Sequence, residues 1–330
     1  MRMAKSCTGH DLKRSTPRQL TPNSAQMSII DGMTELSPIS LSTHVRKETV
    51  AERVEAGKLA RKEHPRSTMG NWSPAADRPD AVEILRAQEA VRVQELVPIR
   101  HARMAVSPFT FYRGTAAVMA YDLGNYPSSG IATQLCGDAH LSNFGVFGSP
   151  DRSMIFDIND FDETHPGAFD WDVARMAASF YIAATDNQFS NADRQMATLT
   201  AATAYRLAMA QYASMNDLDV WYSRVDTEFL LNLAQSRGGT KAAKSMDRNL
   251  QKARGRDHWS AINKLTVVVD GVRQFVDDPP LLVRLPMDGV MWEAIDGVFE
   301  QYRTTLHDDR QELLRRYHII DFAHKVVGVG

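Results

Sequence analysis

The chain has 330 residues, of which 43% are hydrophobic, and a net charge of −2, so it can bury a sizeable core in one large domain or two lobes, and its charge predicts neither nucleic acid nor an acidic membrane surface as partner. Its two cysteines, Cys7 and Cys136, exclude a disulfide framework and a cysteine-spaced zinc site, and they fit a reducing cytoplasm. No run approaches the roughly eighteen apolar residues of a membrane span, and the N-terminus lacks an apolar signal core, so the expectation is a cytoplasmic protein with no membrane association.

Residues 1–43 are rich in Ser, Thr, Pro and Asn without periodicity, which predicts a disordered tail. The segment HVRKETVAERVEAGKLARKE (44–63) reads as a charged peripheral helix. Asp80 is placed to cap a long helix through AVEILRAQEAVRVQEL, interrupted at Pro98, with a second break at Ser107–Pro108. SPFTFYRGTAAVMAYDL predicts a helix start followed by a small-residue helix, with Phe109, Phe111 and Tyr112 in the core. Arg113 is a candidate phosphate ligand, although a lone arginine is more often an ion-pair partner.

A short strand then ends at IATQLCGDA, and FGVF and SMIFDIND form two more, joined by the turn residues GSPDR. Asp170 or Asp172 starts a helix whose apolar positions Val173, Ala177, Phe180 and Ala184 repeat at helical spacing. Residues 191–255 read as all-helical, with Leu218, Trp221, Val225, Phe229 and Leu233 as a core stripe. The basic run KAAKSMDRNLQKARGRDHWSAINK reads as a solvated helix face. TVVVDGVRQFV predicts a hairpin around Asp270–Gly271, and two helices follow, with Leu313, Leu314 and Tyr317 inward, before a terminal strand in DFAHKVVGVG.

The chemistry concentrates in residues 136–164. Phosphoryl transfer needs a carboxylate that orients a hydroxyl nucleophile, together with separate oxygen ligands for Mg²⁺. Asp138 supplies the first. Asp138-Ala-His-Leu-Ser-Asn143 repeats the Asp-to-Asn spacing of a kinase catalytic loop, and Asp160-Phe161-Asp162, at the end of the following hairpin, stands where a kinase places its Asp-Phe-Gly. Asp138 and His140 are therefore the candidate catalytic residues, and Asn143, Asp160 and Asp162 the candidate metal ligands, with Asp157 the alternative carboxylate on the same strand. His140 alternatively orients the loop by hydrogen bonding, and His165 is a weaker candidate. Taken singly, each Asp or Asn could merely satisfy a turn.

The loop CGDAHLSNFG resembles the HGDLHxxN loop of aminoglycoside and choline kinase-like phosphotransferases. INDFDET resembles their metal strand, and FDWDVARMA their helix start, which would give Asp172 a role in bracing the catalytic loop. LVPIRHARMAVSPFTFYRG, QLCGDAHLSNFG, FDINDFDETHPGAFDWDVARMAASF and the terminal KVVGVG together resemble the bacterial family called domain of unknown function 2252, over roughly residues 70–330. That resemblance implies an α+β, protein-kinase-like fold over 44–330, mainly a helical catalytic lobe with a short β-hairpin site, and it brings no established substrate. Within it, 131–165 would hold the catalytic loop and metal strand, 170–264 the helical region, and 265–330 the hairpin and last helices.

A kinase places its glycine-rich loop and nucleotide-binding Lys before the catalytic loop, and neither precedes Asp138 here. Members of the resembled family look longer beyond the terminal Gly-Val-Gly, which implies a circularly permuted order: Gly328 and Gly330 would begin the phosphate loop, and the chain would stop short of the Lys, binding Mg·ATP poorly. Three functions follow as expectations. The first is an ATP- and Mg²⁺-dependent phosphotransferase acting on a small-molecule or protein hydroxyl. The second is a non-catalytic kinase-like binding module. The third is a metal-dependent hydrolase built on Asp138, His140, Asp157, Asp160 and Asp162.

Overall fold

Among the described residues helices dominate, and the strands form four small antiparallel sheets, which agrees with the expected α+β class. The computed structural model describes residues 49–68, 70–255, 258–285 and 288–327, all in the unit that begins at Glu48. The tail expected over 1–43 and the phosphate-loop glycines Gly328 and Gly330 lie outside the described residues. Among the described residues no helix is long and apolar enough to cross a membrane.

Helix α1 (Val50–Glu63) starts in a capping box between Thr49 and Glu52 and buries none of its residues, as its charged sequence predicts. Asp80 caps α2 (Ala81–Glu89) by accepting from Val82 N at 2.8 Å. The long helix expected up to Pro98 is not formed. The Gln94 side-chain amide Nε2 donates to the Glu89 and Arg92 carbonyls at 2.8 and 2.9 Å, groups that a continuing helix would have used itself. Pro98 sits instead in the first turn of α3 (Val97–Met104), where its missing N–H costs nothing. Ser107 caps α4 (Pro108–Arg113), and α5 (Ala116–Gly124) follows. Tyr112 and Phe109 are half-buried, whereas Phe111, expected in the core, is exposed.

The central segment runs β1 (Ala132–Leu135), β2 (Phe144–Gly148), β3 (Met154–Ile158), β4 (His165–Ala168) and α6 (Phe169–Asp186). β2 and β3 form the expected hairpin, with Phe144 opposite Ile158. Strand β4 is not legible in HPGA, which has no strand-forming pattern. It pairs antiparallel with β1, with Leu135 opposite His165. The chain leaving β1 and the chain arriving at β4 therefore emerge side by side, and this places the two candidate loops next to each other.

Helix α7 (Asn191–Tyr212) packs along α6, with Phe169 stacked on Tyr205 at a centroid distance of 6.3 Å. After α8 (Asp217–Tyr222), the two-residue β5 (Val225–Asp226) adds an edge to β3, so 191–255 is not all-helical. Helix α9 (Thr227–Arg254) breaks at Gly239, where φ is +65°. The stripe read as core is largely solvent-facing: Leu218, Trp221, Phe229 and Leu233 are exposed, and Val225 belongs to the strand. Lys241, Lys244 and Lys252 are exposed, as the basic run predicts, while Leu250 anchors that helix at 1% exposure.

Helix α10 (His258–Leu265) leads into the hairpin β6 (Thr266–Val269) and β7 (Val272–Phe275), whose turn residues Asp270 and Gly271 both take positive φ. Strand β8 (Leu282–Arg284), α11 (Gly289–Thr304), α12 (Asp308–Leu314) and β9 (Ala323–Lys325) complete the described chain, with β9 paired to β8. Leu313 and Tyr317, expected inward, are exposed. Buried apolar side chains gather around the central segment, at Leu135, Cys136, Ala139, Ala168 and Ala184.

Candidate functional site

The loop 136–143 is held from below by one face of α6. Asp172 accepts from Cys136 N at 2.7 Å and from Gly137 N at 3.1 Å. Arg175 donates through Nε to Asp138 Oδ1, and Ser179 Oγ accepts from Leu141 N at 3.0 Å. Positions 172, 175 and 179 share a helix face, and they meet the loop in sequence order. The bracing role that the family resemblance implies for Asp172 is the contact observed.

That face is polar and lies beside the apolar positions Val173, Ala177, Phe180 and Ala184, of which Ala184 is buried. Arg175 and Ser179, at 2% and 0% exposure, are more buried than Val173, Ala177 or Phe180. A loop with exposed amides and a carboxylate must be met by hydrogen-bonding side chains, because leaving those groups unpaired when buried would cost about 1–3 kcal/mol each.

Within the loop, Asn143 Nδ2 donates to the Asp138 carbonyl at 2.7 Å, closing the Asp-to-Asn span into one turn. That assignment directs the Asn143 amide oxygen away from the bond. Asp138 is 6% exposed, and its carboxylate lies between two cationic or proton-bearing groups, Arg175 at Oδ1 and His140 Nε2 at 3.5 Å from Oδ2. His140 Nδ1 accepts from Ser142 N at 3.1 Å, which puts the imidazole proton on Nε2. Burial, reinforced by the charges of Arg113 and Arg175 and opposed by Asp138, holds the His140 pKa below its ordinary value. His140 thus holds Ser142 N through Nδ1 and turns Nε2 toward Asp138.

The acidic loop lies across this turn. Asn159 N donates to Asn143 O at 3.0 Å, Cys136 Sγ to Asp160 O at 3.4 Å, and Thr164 Oγ1 to Leu135 O at 2.7 Å. Gly137 permits the approach: its φ is +84°, and a Cβ there would come within 2.6 Å of the Glu163 carbonyl carbon. Asp160 and Asp162 are exposed, and Asp160 Oδ1 accepts from Asp162 N at 3.3 Å. Asp157 is exposed on β3, with its carboxylate accepting from Ile158 N. Exposed His165 turns Nδ1 to the Pro166 carbonyl, outside the loop 136–143. Arg113 reaches close enough to His140 to act on it electrostatically, and its Nε is buried without a hydrogen-bond partner.

Among the described residues no three His, Cys, Asp or Glu side chains gather as a metal site.

Sequence reasoning missed four participants. Arg175 and Ser179 could have been found from their spacing behind Asp172. Tyr112 was assigned to the core, but its ring stacks on the Arg175 guanidinium at 4.3 Å and its hydroxyl donates to Arg175 O at 2.8 Å. Glu163 follows the acidic triplet, and its carboxyl is pushed up by desolvation and by the charges of Asp138, Asp160 and Asp162. Only the β1–β4 pairing, invisible in the sequence, brings it to the loop.

The model of the family described as uncharacterised protein conserved in bacteria, domain of unknown function 2252, matches residues 92–330, a span that holds every residue of this site. The chain belongs to that family. No curated protein and no solved structure matches it. The family boundary at residue 92 leaves α1 and α2 outside the match, while α3 onward, with the loop, the hairpin and α6, lies inside it.

Proposed function

We propose that this site is the nucleophile-orienting and metal half of a protein-kinase-like, ATP-dependent phosphotransferase acting on a hydroxyl of a small molecule or protein. The observation that carries the reading is the closed turn from Asp138 to Asn143, with the acidic loop of Asp160 and Asp162 stitched across it. In this reading Asp138 accepts the hydrogen bond of the acceptor hydroxyl and aims its oxygen at the phosphoryl group. His140 keeps the loop in register through Ser142 and presents Nε2 to Asp138.

The proposed ligands are of the oxygen type that Mg²⁺ takes. The Asn143 amide oxygen and the exposed carboxylates of Asp160 and Asp162 are hard oxygen donors, and phosphate oxygens would complete the shell. When bound, Mg²⁺ supplies neutralisation of phosphate charge. The buried unpartnered Nε of Arg113, beside His140, fits a phosphate oxygen of ATP or of the acceptor. Gly328 and Gly330 keep their proposed place at the start of the nucleotide loop on sequence grounds alone.

A second reading, a non-catalytic kinase-like binding module, is favoured by one observation: the Asp138 carboxylate is nearly enclosed and already paired with Arg175. Measuring Mg·ATP binding and turnover against a panel of hydroxyl acceptors separates the two, using the wild-type chain with Asp138→Asn and Asp160→Ala. Phosphotransfer predicts turnover reduced at least about 10²-fold in both variants. Equal turnover in all three proteins would remove the kinase-like mechanism, and nucleotide binding with no turnover would select the binding module.

A further inference from the structure

We infer that Arg175 is a positioning residue of this site: by holding Asp138 Oδ1 through Nε, it reserves Oδ2 as the single carboxylate oxygen that meets the acceptor hydroxyl. The inference rests on the phosphotransfer reading above.

Arg175 is itself fixed on several sides. Its guanidinium lies over the Tyr112 ring, Nη2 donates to Tyr112 O at 2.9 Å, and Nη1 lies 3.6 Å from Met119 Sδ. The Tyr112 hydroxyl returns a bond to the Arg175 carbonyl, so one tyrosine grips both the side chain and the backbone of the same residue. A planar guanidinium seated in this way has one direction left for Nε–H, and Asp138 Oδ1 occupies it. On the other edge of the carboxylate, His140 Nε2 stands 3.5 Å from Oδ2, beyond hydrogen-bond length for N–H and O. One oxygen is therefore committed and the other spare.

Asp138 has a competing partner. Without Arg175 the carboxylate can rotate until it bonds to His140 Nε2, and the oxygen that meets a substrate hydroxyl would be displaced from its place. Arg175 therefore decides where the lone pairs of Asp138 point without touching substrate. A misplacement of this kind near the reacting atoms lowers turnover far more than binding.

Crystal structures of the wild-type, Arg175→Met and Arg175→Lys proteins, combined with their ATP turnover, test this. In Arg175→Met the Asp138 carboxylate is expected to turn to within about 2.9 Å of His140 Nε2. Its kcat is expected to fall about 10²-fold with the KM for ATP nearly unchanged, and Arg175→Lys to recover part of that loss. Hydrogen exchange at Gly137 and Leu141, held by Asp172 and Ser179, should stay at its wild-type level, which shows that the loop backbone is intact. An unmoved carboxylate in Arg175→Met overturns the inference, and so does a moved carboxylate with wild-type kcat. If Arg175→Met does not fold, Arg175→Lys decides by the same two criteria. A wild-type protein that binds Mg·ATP and turns none of it over removes the phosphotransfer reading, while the carboxylate position still shows whether Arg175 holds Asp138.

Discussion

Asp172 receives the backbone N–H groups of Cys136 and Gly137 on its two carboxylate oxygens, at 2.7 and 3.1 Å, so a helix side chain fixes the bend from which Asp138 is presented. Replacing it with Ala leaves two amides without their acceptor. Asp172→Ala is expected to lose roughly 2–4 kcal/mol in urea unfolding, with faster hydrogen exchange at Cys136 and Gly137. Wild-type exchange at these amides would show that the clasp is not formed in solution.

Gly137 separates two kinds of glycine requirement. At Gly137 a Cβ meets the Glu163 backbone, and φ is positive; at Gly130 φ is also positive, at +68°, but nothing lies within 4 Å. Gly137→Ala is therefore expected to cost about 3 kcal/mol or more, and Gly130→Ala about 1 kcal/mol, in matched urea titrations. Equal losses would mean that backbone conformation alone matters and that the two loops do not touch at this point.

The lowered pKa of His140 makes stability depend on pH in a definite direction. Because the folded value lies below the ordinary 6.5, the unfolded chain binds more protons just below that pH, and stability is lost as the solution is acidified through the window. The limiting slope from this group is about 1.4 kcal/mol per pH unit. His140→Gln should flatten the urea stability profile on acidification below pH 6.5 relative to wild type. A profile that keeps the wild-type slope would place the titrating group elsewhere.

Cys136 is buried, and desolvation pushes its thiol up to about 11. In a Cys7→Ser background at pH 8, a disulfide reagent should label Cys136 only on unfolding. Stoichiometric labelling of the folded protein within minutes would contradict this environment.

The apolar residues of 191–255 divide sharply by burial. Leu250, at 1% exposure, should cost about 2–5 kcal/mol as Leu250→Ala. Trp221, at 81% exposure, should change stability by less than about 0.5 kcal/mol as Trp221→Ser. Calorimetric melting of the two variants distinguishes them, and similar losses would show that Trp221 is covered in solution.

Local chemistry explains which parts of the fold were legible. The cap at Asp80, the helix start at Ser107–Pro108, the β2–β3 hairpin and the Asp270–Gly271 turn each depend on residues within a few positions of one another, and each is legible in the sequence. Strand β4 depends on a partner some thirty positions away, and nothing in His165–Ala168 announces it. The same distance hid Glu163, which becomes a neighbour of Asp138 only through that pairing. The exposed stripe of Leu218, Trp221, Phe229 and Leu233 misled because periodicity predicts an apolar face without saying whether anything covers it. Helix α6 was legible as an element, but the face that meets the loop is polar, and a hydrophobic pattern does not mark its residues. Asp138 and Asn143 were legible as a pair, whereas the Arg175 that engages Asp138 was not singled out.

The three contacts from α6 also set where the chain can tolerate changes in length. Residues 172, 175 and 179 meet 136–137, 138 and 141 through one rigid screw, so inserting a single residue between 172 and 179 would rotate the later side chains by about 100° and strip the loop of part of its support. The turn between β2 and β3 stands outside that correspondence, since the strands on either side register on each other. Loop and helix thus behave as a lock and its matching key cut from one polypeptide: either can drift in composition, but neither can change its spacing alone.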